Sequence, residues 1–322
     1  MTLPTLSLIV PVFNAERDLE AFLQSLAQQT LPPTETIFID DGSTDGSQRM
    51  LATYAADRTA VRIVRKANGG AGAARNTGLG VATGSYIAFA DADDLLAPDI
   101  YERLLASAEE DQLDVVVCNA WNYFEDRRQN SLVMDDAPLP EVVSGEEWLR
   151  QRLRSGRFPH YSPLHLCRRE MIERARIRFP EGITHEDVLW VTEILLAAQR
   201  LGYEPRPLYT YRRRNYSMAD RPLRGQTAIA ESSILNTMAL AELADRANIE
   251  AETARLLRLD FVNGGCSATH AIWRIPDRQI RCDLGKQMRS RRFFRVLWNH
   301  ADTVKLKSRI LRAWLRSQAW RV

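Results

Sequence analysis

The chain has 322 residues, 45% hydrophobic and 26% charged, which is room for one large α/β domain with a smaller appendage and ordinary for a globular protein. No run approaches the roughly 20 apolar residues that span a bilayer, so the chain is not expected to cross a membrane by itself. The net charge of +2 conceals an asymmetry: from Lys286 onward eleven Lys/Arg face one acid, Asp302, which makes this tail +10 and leaves −8 for the rest. Such a tail suggests an anionic partner, either lipid headgroups or nucleic acid. Cys118, Cys167, Cys266 and Cys282 have neither close CxxC pairing nor metal-ligand spacing and read as reduced residues of a cytosolic protein. Met1-Thr2-Leu3-Pro4 carries no basic n-region, so a signal peptide is not expected.

Leu6 to Phe13 is an apolar run that predicts a buried first strand, and Asn14-Ala15-Glu16 is expected to open a helix reaching about Gln29. Thr36 to Asp41 is a second apolar strand ending in acids, followed by Gly42 to Ser47 and another helix. Val61 to Val64 reads as a third strand, Gly69 to Ala82 as a glycine-rich turn and helix, and Tyr86 to Ala90 as a fourth strand. This alternation implies a parallel sheet with right-handed crossovers and ligands at the carboxyl ends of its strands. A helix from about Pro98 to Glu110 leads to a strand from Leu113 to Asn119. An irregular or hairpin region follows around residues 125–138, and Ser144 with Glu147 fits a capping box. From about Gln226 the pattern is helical. Gly264-Gly265 is expected to end the second of these helices near Val262. A domain boundary is placed near residues 215–225.

The fourth strand ends in Asp91-Ala92-Asp93-Asp94. In extended chain, residues two apart face the same side about 6.5 Å apart, so Asp91 and Asp93 can share one polar site and hold a hard divalent cation. The alternative is that one of these acids caps the helix opening at Pro98-Asp99. Together with Asp40-Asp41, these residues gather more carboxylates at one edge than a sheet tolerates without a cation or a hydrogen-bonding ligand.

Pro11-Val12-Phe13-Asn14, Asp40 to Gly46, Gly72 to Gly78, Asp91 to Asp94, and Arg178 to Gly182 with His185-Glu186-Asp187-Val188 closely resemble, in order and spacing, the motifs of family 2 glycosyltransferases. The likeness covers about residues 5–217. It implies an α/β fold of the GT-A type, a mostly parallel sheet flanked by helices over residues 1–220, followed by a helical region over 221–322. It further implies a nucleotide-sugar donor, a UDP-sugar being favoured, a Mn²⁺ or Mg²⁺ ion, and inversion at the anomeric carbon. By resemblance, Pro11 and Phe13 line the nucleoside pocket, Asp41 contacts the base, and Arg75 sits near base or phosphates. Asp91 faces ribose and metal, Asp93 is the main metal ligand, and Asp187 is the catalytic base with Glu186 as support. In Tyr209 to Ser217 a basic residue, taken as Arg214 although Arg212 and Arg213 compete, and Ser217 approach the diphosphate. Where the family has a Lys, this chain has His165.

Asp187 also reads as an ordinary first-turn acid before Val188-Leu189-Trp190. Gly70-x-Gly72 superficially matches a dinucleotide fingerprint, but it does not follow the first strand, and Arg75 stands where the third glycine belongs. In Val304 to Trp320, Ile310, Leu311, Trp314 and Leu315 are expected on one helical face with Lys307, Arg309, Arg312 and Arg316 around it. That pattern suits an anionic membrane surface and equally suits docking on the protein's own helices. No nucleic-acid recognition motif accompanies the basic residues, so nucleic acid is not an expected partner. The expected activity is sugar transfer to a hydroxyl of a glycan or lipid-linked acceptor in surface polysaccharide or lipopolysaccharide synthesis. It would take place in the cytoplasm or at the inner face of the plasma membrane. The alternatives are a nucleotidyltransferase and a non-catalytic subunit that binds nucleotide-sugar or glycan.

Overall fold

The computed structural model describes residues 4–124, 129–135, 142–213, 223–246 and 248–318. In chain order the first part comprises β1 (Leu6–Val12), α1 (Leu19–Ala27), β2 (Glu35–Asp40), α2 (Ser47–Ala55), β3 (Val61–Arg65), α3 (Gly70–Val81) and β4 (Tyr86–Phe89). Next come β5 (Leu95–Leu96), α4 (Ile100–Glu110), β6 (Val115–Phe124), β7 (Gln129–Leu132), α5 (Gly145–Ser155), a short 3₁₀ turn (Ser162–Leu164), β8 (His165–Arg168), α6 (Arg169–Ala175), α7 (Asp187–Ala197) and β9 (Leu201–Arg213). The remainder is helical: α8 (Leu223–Ala244), α9 (Ala251–Trp273), α10 (Arg278–Ser290), α11 (Phe293–His300) and α12 (Val304–Gln318).

The strands form one sheet in the order β3-β2-β1-β4-β8-β6-β9-β5, with β7 on β6. Its first four strands run parallel, so their carboxyl ends share one edge. β1, β2 and β4 are buried almost throughout because helices cover the sheet, as their continuous apolar runs require. Cys118 and Cys167 are buried among the central strands, and burial pushes the Cys118 thiol up to about 12. Among the described residues no helix is long and apolar enough to cross a membrane.

Two compact units divide the chain. One comprises Met1–Leu149, Arg157–Gly182 and Trp190–Asn215; the other comprises Arg150–Gly156, Ile183–Leu189 and Tyr216–Val322. Within the second unit, Arg150 pairs with Glu250 and Arg154 with Glu252. These pairs tie the end of α5 to the start of α9.

Two expected elements differ. α1 begins at Leu19, because Asn14 takes a left-handed conformation (φ 49°) and residues 14–16 bond across to the loop after β2 and the first residue of α2 instead of starting a helix. The Asn14 amide donates to Ser43 Oγ at 3.1 Å, Ala15 to Ser47 Oγ at 2.9 Å and Glu16 to Asp45 at 3.0 Å. α9 runs unbroken through Gly264-Gly265. A Cβ on Gly265 would lie 2.9 Å from Leu297 and 3.1 Å from Phe293, so this glycine permits α11 to pack closely rather than ending a helix. Of the capping box, the Ser144 half is present, its Oγ accepting from the Glu147 amide at 3.1 Å.

Candidate active site

At the carboxyl edge of the parallel strands lies a cavity of about 640 Å³ whose walls include Pro11, Phe13, Asp41, Arg75, Asp91 and Asp93. Six of the residues singled out from the sequence therefore share one concavity, although they come from four separate segments of the chain. Phe13 is 51% exposed here, an aromatic face presented to the cavity rather than to the core.

The motif Gly72 to Gly78 builds the wall. Gly70 turns the chain with φ 84°, and a Cβ on Gly72 would stand 2.4 Å from the Pro180 carbonyl, so the helix can approach that segment only as glycine. Asn76 then clamps the same segment: its Nδ2 donates to the Phe179 carbonyl and its Oδ1 accepts from the Phe179 amide, both at 2.9 Å. Phe179 stacks on Trp190 with centroids 4.6 Å apart, and Phe89 meets both rings edge-on. On this aromatic base the buried Arg75 guanidinium lies 5.3 Å from the Phe179 centroid and donates to Asp91 Oδ1 at 2.6 Å. In this Gly-x-Gly, Gly70 thus serves the turn and Gly72 the close approach.

The acid turn does not cap α4. β5 intervenes, Asp99 occupies the N-cap position, and its carboxylate pairs with Arg103 instead. Asp94 is buried and turned away to the sheet, accepting from Tyr209 Oη at 2.8 Å and from the Arg212 amide at 2.9 Å. Burial, with the charges of Asp91 and Asp93 beside it, pushes its carboxyl well above the usual carboxylate range. Tyr209 Oη also accepts from the Asp91 amide at 3.1 Å, so one hydroxyl fixes both ends of the turn. Asp93 is left at the exposed rim of the cavity.

Asp41 is buried and already engaged. It accepts from Lys66 Nζ at 2.7 Å and from the amides of Gly69 and Gly70 at 3.0 and 2.8 Å. It anchors the start of α3, and any base contact shares an oxygen with these donors. Arg212 pairs with Asp18 at 3.3 Å, and Arg213 donates to Asn122 and to Tyr161 Oη between the rings of Tyr161 and Tyr211. Both arginines belong to β9 and have protein partners, so neither is a solvated turn residue. Arg214 and Ser217 lie outside the described residues.

Glu186 and Asp187 belong to the second unit. Asp187 is the first residue of α7 and half-buried; Glu186 is buried. His185 before them is left-handed (φ 58°). α8 holds this backbone from two successive turns. Ser232 Oγ accepts from the Thr184 amide at 2.8 Å, and Asn236 Nδ2 donates to the His185 carbonyl at 3.0 Å.

Sequence reasoning missed Lys66, Tyr209 and the inward role of Asp94. Lys66 had a signal, since it follows β3 at the same edge of the sheet. Tyr209 reads only as the first residue of the Tyr209 to Ser217 segment, because its partners lie over a hundred residues away.

The donor atoms present suit a divalent cation. Asp91 and Asp93 are hard carboxylates two residues apart, and among the described residues no three His, Cys, Asp or Glu converge into a closed cage. An ion here would take its remaining ligands from substrate and water, which is how Mg²⁺ and Mn²⁺ are commonly held.

The model of the family described as "Glycosyl transferase family 2" matches residues 7–174. Among curated proteins, the chain is 41% identical over 216 residues to "Uncharacterized glycosyltransferase YibD" of Escherichia coli K12, covering 66% of this chain and 63% of that protein. It is 35% identical over 223 residues to "Uncharacterized glycosyltransferase EpsJ" of Bacillus subtilis, covering 68% and 64%. The chain thus spans somewhat under two thirds of the length of these relatives. Among solved structures, S. aureus TarS 1-349 in complex with UDP-GlcNAc aligns at TM-score 0.60 with 19% identity, covering 98% of this chain and 91% of that one. The mannosyltransferase PcManGT from Pyrobaculum calidifontis, in complex with GDP-Man and Mn²⁺, aligns at 0.57 with 17% identity, covering 99% and 88%. At such identities the likeness is one of fold, and the fold is the GT-A type. With the family's model matched over more than half of its length, the chain belongs to glycosyl transferase family 2.

Proposed function

We propose that this protein is an inverting, metal-dependent glycosyltransferase that moves a sugar from a nucleotide-sugar, a UDP-sugar being favoured, to a hydroxyl of a glycan or lipid-linked acceptor in surface polysaccharide or lipopolysaccharide synthesis. In this reading residues 1–220 form the transferase domain, and 221–322 form a helical region. The observation that carries it is the acid pair Asp91 and Asp93 in a cavity of nucleotide-sugar size, with Arg75 and Phe13 on its walls.

Pro11 and Phe13 take the nucleoside, with Asp41 at the base. Arg75 neutralises one oxygen of Asp91 and fixes its direction. Asp93, with the other oxygen of Asp91, would hold Mn²⁺ or Mg²⁺ against the donor diphosphate, where the ion would neutralise charge on the leaving group. Arg214 and Ser217 add donors to that diphosphate. Asp187 takes the proton of the acceptor hydroxyl, which attacks the anomeric carbon opposite the leaving group, and Glu186 supports the acceptor. The donor is a cytoplasmic metabolite, and a lipid-linked acceptor would bring the reaction to the inner face of the membrane.

Calorimetric titration with UDP-, GDP-, dTDP- and CMP-sugars, with and without Mn²⁺, should give metal-dependent binding of one nucleotide class. Asp93→Ala should remove that metal dependence and the transfer; undiminished turnover would sink the metal assignment. Asp187→Asn should bind donor normally while transfer falls by about 10²- to 10⁴-fold, the usual weight of a general base. Normal transfer rates in that variant would remove Asp187 as the base.

A further inference from the structure

α12 buries Leu306, Ile310, Ala313 and Ser317, spaced four, three and four apart, and packs with this face on α9 and α11. At 100° per residue the opposite side carries Val304, Leu311 and Leu315, which are 86%, 47% and 54% exposed. Trp314 stands at the margin of this stripe. Trp298 of α11, also exposed, has Lys307 Nζ 5.6 Å from its ring centroid. One face of the helix therefore docks on the protein, and a second apolar face stays exposed. Ile310 belongs to the docked face, not to the stripe with Leu311.

Cations flank the stripe. Lys305, Arg309, Arg312 and Arg316 form a ridge along one side, and Lys307 lies on the other. Between α9 and α12, Arg309, Arg312 and Arg316 join Ser267, Thr269 and His270 around a cleft of about 360 Å³ that no acidic side chain lines among the described residues. Arg309 is held by Asn263 Oδ1, and Arg316 lies 3.4 Å from His270 Nδ1. This cleft is a hydrogen-bonding cationic recess of headgroup size beside an apolar stripe.

We infer that the outer face of α11 and α12 docks on an anionic lipid bilayer, with Val304, Leu311 and Leu315 in the interface and headgroup phosphates in the Arg309, Arg312 and Arg316 cleft. A helix with apolar residues on one side, arginines and lysines along its flanks and tryptophan at its margin lies in the plane of a charged interface. A symmetric pairing of two such faces is disfavoured by like charge, since from Lys286 onward only Asp302 opposes eleven cations. Nucleic acid would satisfy the arginines but leave the aliphatic stripe and both tryptophans in water. The inference deepens the proposed function and rests on it for its purpose, the meeting with a lipid-linked acceptor, while its test reads binding without transfer.

The full chain is sedimented with phosphatidylcholine vesicles and with vesicles containing phosphatidylglycerol, at low and high salt. Binding should require the anionic lipid, with affinity at least about tenfold lower on neutral vesicles, and should weaken as salt rises. The doubles Leu311→Ser/Leu315→Ser and Arg312→Gln/Arg316→Gln change exposed positions, so they should melt as the parent does. Each should lose about tenfold or more in vesicle affinity. Equal binding to neutral vesicles, no binding to either, or variants that bind as the parent does would overturn the inference. So would a stable dimer dissociated by the leucine double, which would assign the stripe to a second copy.

Discussion

His165, at the start of β8, is buried, and its Nδ1 lies 3.0 Å from the Tyr161 carbonyl, so that nitrogen carries the proton and donates it. Burial lowers its pKa to about 4, against about 6.5 in an unfolded chain. Between these values the unfolded chain binds a proton that the folded one refuses. The stability this ring contributes is therefore complete above about pH 6.5 and is lost as pH falls toward 4, by roughly 3 kcal/mol at most. Denaturant titrations across pH 4–7 should show this slope in the parent and a shallower one in His165→Gln. An unchanged acid limb would show that the loss arises elsewhere. The same residue marks what is legible at this scale. Acids at strand ends stood out in the sequence because two strands of one sheet end in them, Asp40-Asp41 and Asp91 to Asp94, which puts more carboxylate at one edge than helix capping accounts for. His165 was visible only as a departure from a motif, since what makes it unusual is the sheet around it. The role of Tyr209 was hidden for a similar reason: its hydroxyl meets the Asp91 amide from 118 residues along the chain.

At the scale of elements, βα alternation read well because each strand and helix is specified by its own periodicity and closing residues. The errors fell where a tertiary partner overrode local preference. Residues 14–16 looked like a helix start, but their amides found side-chain oxygens on the loop after β2 and at the start of α2. Gly264-Gly265 looked like a stop, but Gly265 sits under Leu297 and Phe293 while a Cβ on Gly264 would meet nothing within 4 Å. Two adjacent glycines thus have opposite sensitivities. Gly264→Ala should stabilise the protein by up to about 1 kcal/mol through helix propensity alone. Gly265→Leu should destabilise it by about 1–3 kcal/mol or more, because the added side chain has no space against α11. Thermal melts of the two variants should move in opposite directions. If both rise, the close approach of α11 to α9 is not a constraint on this helix.

At the scale of the whole molecule, the candidate site residues fall in two units: the cavity lined by Asp91 and Asp93 belongs to the first, and Glu186-Asp187 to the second. A linear reading places residues 183–189 inside the transferase region, since nothing in their sequence says that their partners come fifty residues later. Those partners are Ser232 and Asn236, four apart on one face of α8, and both are buried. They bond to the Thr184 amide and the His185 carbonyl just before α7, and His185 is left-handed there, a conformation a non-glycine residue holds only when its surroundings impose it. The helical region is thereby the support of the acid segment. Ser232→Ala with Asn236→Leu removes both bonds, each worth about 0.5–1.5 kcal/mol, while leaving every residue of the Asp91–Asp93 cavity in place. In the proposed mechanism the expected outcome is a lowered kcat with donor affinity by calorimetry unchanged, because only the presentation of Asp187 is altered. The single variant Asn236→Asp should fall between parent and double: it keeps the side-chain length but loses the amide donor. A parallel loss of donor affinity would mean that α8 supports the fold as a whole rather than the acid segment. An unchanged kcat would mean that the left-handed turn at His185 holds without α8.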